Sequence, residues 1–148
     1  MNQARQIVII NGPNLNLLGA RQPEIYGNQT WDDYFETLQE LFPSIRFSYY
    51  QSNVEGVLID LLQKASLESD GIILNAGGYT HTSVAIADAI AAIATGVIEV
   101  HISQPLARES FRHQSILAAH AVGSISGFGM DGYQLAVSAW LLKWQLCK

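Results

Sequence analysis

GIILNAGGYTHTSVAIADAIAAIATGVIEVHIS, residues 71–103, holds a strand, a helix and a second strand in succession. Gly71–Leu74 is a short apolar run followed by glycine-rich sequence and reads as a strand. Ser83–Thr95 is apolar nearly all round, with Asp88 its only charge, and Gly96 behind it reads as a helix stop. Val97–Ile102 returns to β-branched residues. Strand, helix and strand at this spacing form a crossover unit of a parallel sheet.

The same alternation continues in both directions. Ile7–Ile10, closed by Asn11-Gly12-Pro13, reads as a first strand, and residues 11–29, rich in Asn, Gly and Pro, as a long loop. Trp31, Tyr34, Phe35, Leu38, Leu41 and Phe42 recur at helical spacing from Thr30 until Pro43. Ile45, Phe47 and Tyr49 alternate as a second strand. Ser52-Asn53-Val54-Glu55 has the pattern of a capping box ahead of a helix marked by Val54, Leu58, Leu61 and Leu62. Beyond Ile102, Pro105–Leu117 reads as an irregular helical connection and Val122–Phe128 as a fifth strand. Tyr133, Val137, Trp140, Leu141 and Trp144 mark a last helix. With no repeat or linker, residues 1–148 are expected to form one α/β domain. Five parallel strands with helices on both faces make a flavodoxin-like three-layer sandwich of strand order 2-1-3-4-5.

Composition narrows the function. A chain of 148 residues supplies one core. Charged residues make up 14%, against roughly 25% in an average domain, so part of the surface is expected to be covered by other subunits. Thirteen acids against eight bases, a net charge of −5, argue against nucleic acid as the main partner. No apolar run approaches the ~18 residues of a membrane span. The single cysteine, Cys147, rules out an internal disulfide. The N-terminal residues lack the features of a secretory signal, and a reducing cytoplasm is the expected setting.

In such sheets ligands bind beyond the carboxyl ends of the strands, near the switch in strand order. The places to look are therefore after Ile10, Leu74 and Ile102. The loop at 11–29 has neither GxGxxG nor a P-loop. Its length fits a functional lid carrying Arg21 and Tyr26 between hinges at Gly19 and Gly27, or a surface loop whose tyrosine packs on the body. After Leu74, two glycines let backbone approach a ligand closely, Thr82 or Ser83 caps the helix, and Asn75 and His81 add hydrogen-bonding groups.

Period-2 alternation sets Glu99 and His101 on one face of a strand that should be apolar. They form either a satisfied core pair or a carboxylate holding one imidazole nitrogen while the other serves as a general acid. Arg108 and Arg112, four apart, would share a helical face and suit an anionic or polyhydroxylated ligand; a solvated face paired with Glu109 is the alternative. The apolar helix is expected to set Asp88 in or beside a subunit interface; a helix with an unusually alanine-rich solvent face is the alternative. Gly127-Phe128-Gly129-Met130-Asp131-Gly132 matches GxGxxG, but it opens the last helix with no strand to follow and reads as a tight turn. His113 and His120 lack metal-ligand spacing and no CxxC exists, so neither a metal nor a cofactor is expected.

The chain resembles the type II 3-dehydroquinate dehydratases, and the resemblance spans essentially its whole length. It is carried by Asn11-Gly12-Pro13-Asn14-Leu15 with Arg21 and Tyr26-Gly27, by Gln51-Ser52-Asn53, and by Asn75-Ala76-Gly77-Gly78-Tyr79-Thr80-His81-Thr82-Ser83. Glu99-Val100-His101-Ile102-Ser103 and Gly127-Phe128-Gly129 complete it. The resemblance implies anti elimination of water from 3-dehydroquinate, through an enolate, to 3-dehydroshikimate in the shikimate pathway. It implies Tyr26 as the base at C2, with Arg21 favouring its phenolate, and Asn14 acting on the enolate oxygen through a water. His101, oriented by Glu99, would protonate the leaving C1 hydroxyl. Asn75 with the Ile102 and Ser103 amides would hold the carboxylate, His81 and Arg112 the ring hydroxyls, and Arg108 would help close the lid. Asp88 would reach a neighbouring subunit's site in trimers grouped into a dodecamer.

The Schiff-base route to the same product needs a desolvated lysine, and Lys64, Lys143 and Lys148 all lie away from strand ends. The competing class is a flavodoxin-like binding or signalling module. A phospho-receiver needs acidic residues after the first strand, and a flavin module a hydroxyl-rich phosphate loop there; this chain has neither. An inactive relative kept for assembly would share every packing feature.

Overall fold

The computed structural model describes residues 3–20 and 23–146, with Tyr26 and Leu146 described by backbone alone. Arg21 and Cys147 lie outside the described residues. Five parallel strands, β1 (Arg5–Asn11), β2 (Ile45–Gln51), β3 (Gly71–Asn75), β4 (Val97–His101) and β5 (Gly123–Ser126), make one sheet. Their order is β2-β1-β3-β4-β5, as expected. The helices are α1 (Pro23–Tyr26), α2 (Trp31–Leu41), α3 (Glu55–Glu68), α4 (Val84–Ala92) and α5 (Asp131–Leu146). None among the described residues is long and apolar enough to cross a membrane.

Strand alternation divides the core between the two faces. Ile7, Ile9, Ile73, Ile98 and Val100 pack beneath α2 and α5 with Trp31, Tyr34, Leu38, Tyr133 and Val137. Val8, Ile10, Ile72, Leu74 and Val97 pack beneath α3 and α4 with Leu58, Leu62, Ile86 and Ile90. Because successive side chains alternate, Asn11 and Asn75 continue the α2–α5 face, whereas Glu99 and His101 continue the α3–α4 face.

Several boundaries differ from the sequence reading. Ser52 to Glu55 forms no capping box: Val54 is the N-cap of α3, and the Ser52 hydroxyl accepts the Val54 N–H at 3.0 Å in a local turn. The helix expected to run to Thr95 ends at Ala92, with Ile93 already extended. Gly96 is instead a point of close packing, since a Cβ there would lie 2.7 Å from Val122 and 2.9 Å from Trp140. Pro105–Leu117 is not a helical face but two 3-10 turns, Pro105–Ala107 and Ser110–Arg112, followed by coil. The strand expected over Val122–Phe128 spans Gly123–Ser126. The GxGxxG look-alike is a turn, with Gly127 and Gly129 in the left-handed region.

Candidate active site

The first wall of the site is built where β1 and β3 end side by side. Asn11 and Asn75 are register partners. The chain leaves β1 through Gly12, whose N–H donates to the Asn75 carbonyl at 2.7 Å. A Cβ at Gly12 would stand 2.6 Å from the Ala76 carbonyl oxygen, so only glycine permits this approach. Two residues on, Asn14 has φ 67°, the one non-glycine residue with positive φ among those described. Asparagine tolerates that conformation better than most residues. Asn53 holds it there, its Oδ1 accepting the Asn14 N–H at 2.9 Å and a Gln51 Nε2–H at 3.1 Å.

A cleft of about 130 Å³ opens above these ends. Asn14, Asn75, Gly77 and His81 line one side, and His101, Ile102, Ser103, Arg108 and Arg112 the other. Eight of the residues singled out from sequence are thereby brought together from four separate segments. The two arginines reach the cleft from successive 3-10 turns, not from a common helical face. Arg108 donates to the Ser103 hydroxyl at 3.2 Å and Arg112 to Glu109 Oε2 at 2.8 Å, so Glu109 is a partner of an arginine that nevertheless lines the cleft. His113 braces this corner by donating from Nε2 to the Arg108 carbonyl at 2.9 Å.

The Glu99–His101 pair is formed as the strand alternation requires. Glu99 Oε1 lies 2.5 Å from His101 Nε2, which leaves Nδ1 of the ring for the cleft. Glu99 is 1% exposed, and its carboxylate is fully engaged. Besides His101, the Ser115 hydroxyl donates to Oε1 at 2.7 Å and the Ser124 hydroxyl to Oε2 at 2.9 Å. Burial pushes the Glu99 carboxyl up. The hydrogen bond and charge of His101, with both serine hydroxyls, outweigh it and hold the group below the ordinary carboxylate range. His81 is oriented differently. Its Nδ1 lies 2.7 Å from the Gln114 carbonyl, an acceptor only, so Nδ1 carries a hydrogen and Nε2 is left for the cleft.

Asp88 is not among the residues of this cleft. It is exposed on the outward face of α4 beside Val84 and Ala85. Arg21 and the Tyr26 side chain lie outside the described residues. The backbone of α1 nonetheless carries Tyr26 close by, since Glu24 and Ile25 border a crevice shared with Ile102, Ser103 and Arg108. No group of three or more His, Cys, Asp or Glu among the described residues is arranged to hold a metal ion.

Sequence reasoning missed Ser115 and Ser124, which share the Glu99 carboxylate, and Asn53, which pins Asn14. Tyr133 enters the sequence reading only as one of the residues that mark the last helix. Yet the Tyr133 hydroxyl donates to Asn11 Oδ1 at 2.7 Å and accepts from Asn75 Nδ2 at 3.0 Å. The one available signal was a hydroxyl on a helix face otherwise apolar.

Comparison with known proteins gives one answer. The family model "Dehydroquinase class II" matches residues 5–141. A 3-dehydroquinate dehydratase of Bacillus licheniformis is 50% identical over 134 residues, covering 89% of this chain and 92% of that protein. One from Dinoroseobacter shibae is 52% identical over 133 residues, covering 88% and 89%. The crystal structure of a type II dehydroquinase from Butyrivibrio crossotus superposes with a TM-score of 0.90 at 43% identity, covering 94% of this chain and 99% of that one. With the sheet order, the composition of the cleft and these matches in agreement, the chain belongs to the class II dehydroquinase family.

Proposed function

We propose that the protein removes water from 3-dehydroquinate to give 3-dehydroshikimate, as a hydro-lyase of the shikimate pathway. The observation that carries this reading is the cleft at the ends of β1, β3 and β4. There a carboxylate-anchored imidazole faces arginines and amides, in a chain whose relatives bear the name 3-dehydroquinate dehydratase. The ligand is anionic and polyhydroxylated, and the donors on both walls suit it.

In the mechanism, Tyr26 as phenolate takes the proton from C2, and the electron pair moves onto the carbonyl oxygen as an enolate. A free phenol has a pKa of ~10, so a cation beside it is needed to hold the anion near neutrality, and Arg21 fills that role. Asn14 stabilises the enolate oxygen through a bridging water. The enolate then collapses, the C1–O bond breaks, and His101 delivers a proton from Nδ1 to the departing hydroxyl while Glu99 holds the ring. Asn75, with the Ile102 and Ser103 amides, receives the carboxylate; His81 and Arg112 receive ring hydroxyls, and Arg108 stands at the rim. Water is lost, the product is a conjugated enone, and no cofactor enters the balance.

Assembly belongs to the same reading. The outward face of α4 carries Val84, Ala85, Ala91 and Ala92 around Asp88, a surface fit for a neighbouring subunit. Trimers, grouped into a dodecamer in the cytoplasm, would let Asp88 reach an adjacent site. The test is direct. Purified protein mixed with 3-dehydroquinate is followed by the ultraviolet absorbance of the enone. Steady growth of that band is expected, and substrate recovered unchanged would refute the assignment.

A further inference from the structure

Tyr133 is fully buried at the start of α5, yet its hydroxyl is not idle. It closes a chain of hydrogen bonds that runs from the cleft into the core. Asn75 Nδ2 donates to the Tyr133 oxygen at 3.0 Å, Tyr133 donates to Asn11 Oδ1 at 2.7 Å, and Asn11 Nδ2 donates to the Tyr49 oxygen at 3.4 Å. Every group passes its hydrogen in the same direction. The polarity is set at the cleft end by backbone: Asn75 Oδ1 accepts the Gly77 N–H at 3.2 Å. An amide turned over would set NH₂ against that N–H, donor against donor, and would reverse every link of the chain behind it. Asn75 is therefore locked with its oxygen on Gly77 and one amide hydrogen on Tyr133. Its second amide hydrogen is the group left for the cleft that Asn75 lines.

We propose that Tyr133 is a positioning residue for substrate binding, holding the Asn75 amide so that it offers a donor to the ligand's carboxylate. This rests on the function proposed above. Tyr133 does not exchange protons in the reaction: burial drives its phenol well above the ordinary tyrosine value, and the hydrogen bond it accepts from Asn75 offsets this only in part. Its part is to remove the rotational freedom of an amide that would otherwise present either end.

The test is a double-mutant cycle on the full chain with 3-dehydroquinate. Tyr133→Phe keeps the ring and deletes the oxygen; it should raise KM roughly tenfold, the scale of one hydrogen bond to a charged group, with kcat lowered no more than about threefold. Its kcat–pH profile should superpose on that of the parent. Asn75→Ala should raise KM at least as much, and Tyr133→Phe added to Asn75→Ala should raise it no further. Should Tyr133→Phe fail to fold, Asn11→Ala, which frees the Tyr133 hydroxyl from one side, should raise KM a fewfold in the parent and not at all beside Asn75→Ala. A working parent with KM unmoved by Tyr133→Phe, or by Asn11→Ala where that stands in, overturns this role alone. So do effects that multiply with Asn75→Ala. A parent that leaves 3-dehydroquinate untouched removes this role together with the function it rests on.

Discussion

Glu99 shows how one buried charge is made tolerable and then useful. An unpaired carboxylate at its depth would cost several kcal/mol or take up a proton. Here an imidazole and two serine hydroxyls spend its lone pairs, and the group is held ionised. Its folded pKa lies below the unfolded value of ~4.3, so its contribution to stability is present in full above that value. The contribution is lost as pH falls through the folded pKa. Glu99→Gln should therefore melt below the parent at pH 7, and the gap in melting temperature should narrow steadily below about pH 4; a gap independent of pH would mean that the charge is not what stabilises. The same substitution leaves His101 without its anchor. It should cut kcat by about 10²–10⁴, the scale of a lost general acid, as read by the enone assay. Ser124→Ala removes one of three donors and leaves His101 in place, so kcat should fall less than tenfold on the scale of one neutral hydrogen bond. A larger loss would show that the edge strand governs the Glu99–His101 pair.

At the scale of elements, the loops after β1 and β3 work as one unit. Gly12 joins them, and Gly12→Ala drives a methyl group into the Ala76 carbonyl. A shift of the two loops should cost about 1–3 kcal/mol, seen as a lower urea midpoint with unchanged slope. KM should rise, because Asn14 and Asn75 stand on either side of the contact. Unaltered stability and KM would show that the loops move independently. Such elements differ in how far sequence reveals them. The strands were legible because the apolar runs at Ile7–Ile10, Gly71–Leu74 and Val97–Ile102 have glycines at or near an end, and because Ile45, Phe47 and Tyr49 alternate. Glu99 and His101 were legible as a pair through period-2 alternation alone. The stretch from Pro105 to Leu117 was not, since 3-10 turns repeat no apolar position. Two arginines four apart suggested a helical face that the chain does not build. The tyrosine–asparagine chain was illegible for a different reason: Tyr133 meets partners 58 and 122 residues away, and nothing near it in sequence marks Asn75 and Asn11 as those partners.

At the scale of the whole molecule, the question is why so small a domain leaves an apolar face uncovered. The inner side of α4 packs Ile86, Ala87 and Ile90 on the sheet. Its outer side is little more polar: Val84 is 65% exposed, with Ala85, Ala91 and Ala92 exposed around the single charge of Asp88. A solvated helix face is ordinarily studded with Lys and Glu, which keep domains apart. The absence of such residues from α4 follows if another copy of the chain covers it, and the low overall charge follows with it. Val84→Glu puts a second carboxylate on that face, where docking would have to desolvate it. Sedimentation velocity should show the parent as an oligomer and Val84→Glu shifted toward monomer. Melting temperature should fall with dilution in the parent, whose stability includes subunit association, and less so in the variant. Asp88→Ala should leave the oligomer nearly intact, since alanine suits an apolar interface, yet raise KM, since the carboxylate is proposed to act on an adjacent site. A parent that sediments as a monomer at all concentrations, with Asp88→Ala kinetically silent, would return α4 to the status of an unusually apolar free surface and confine each active site to a single chain.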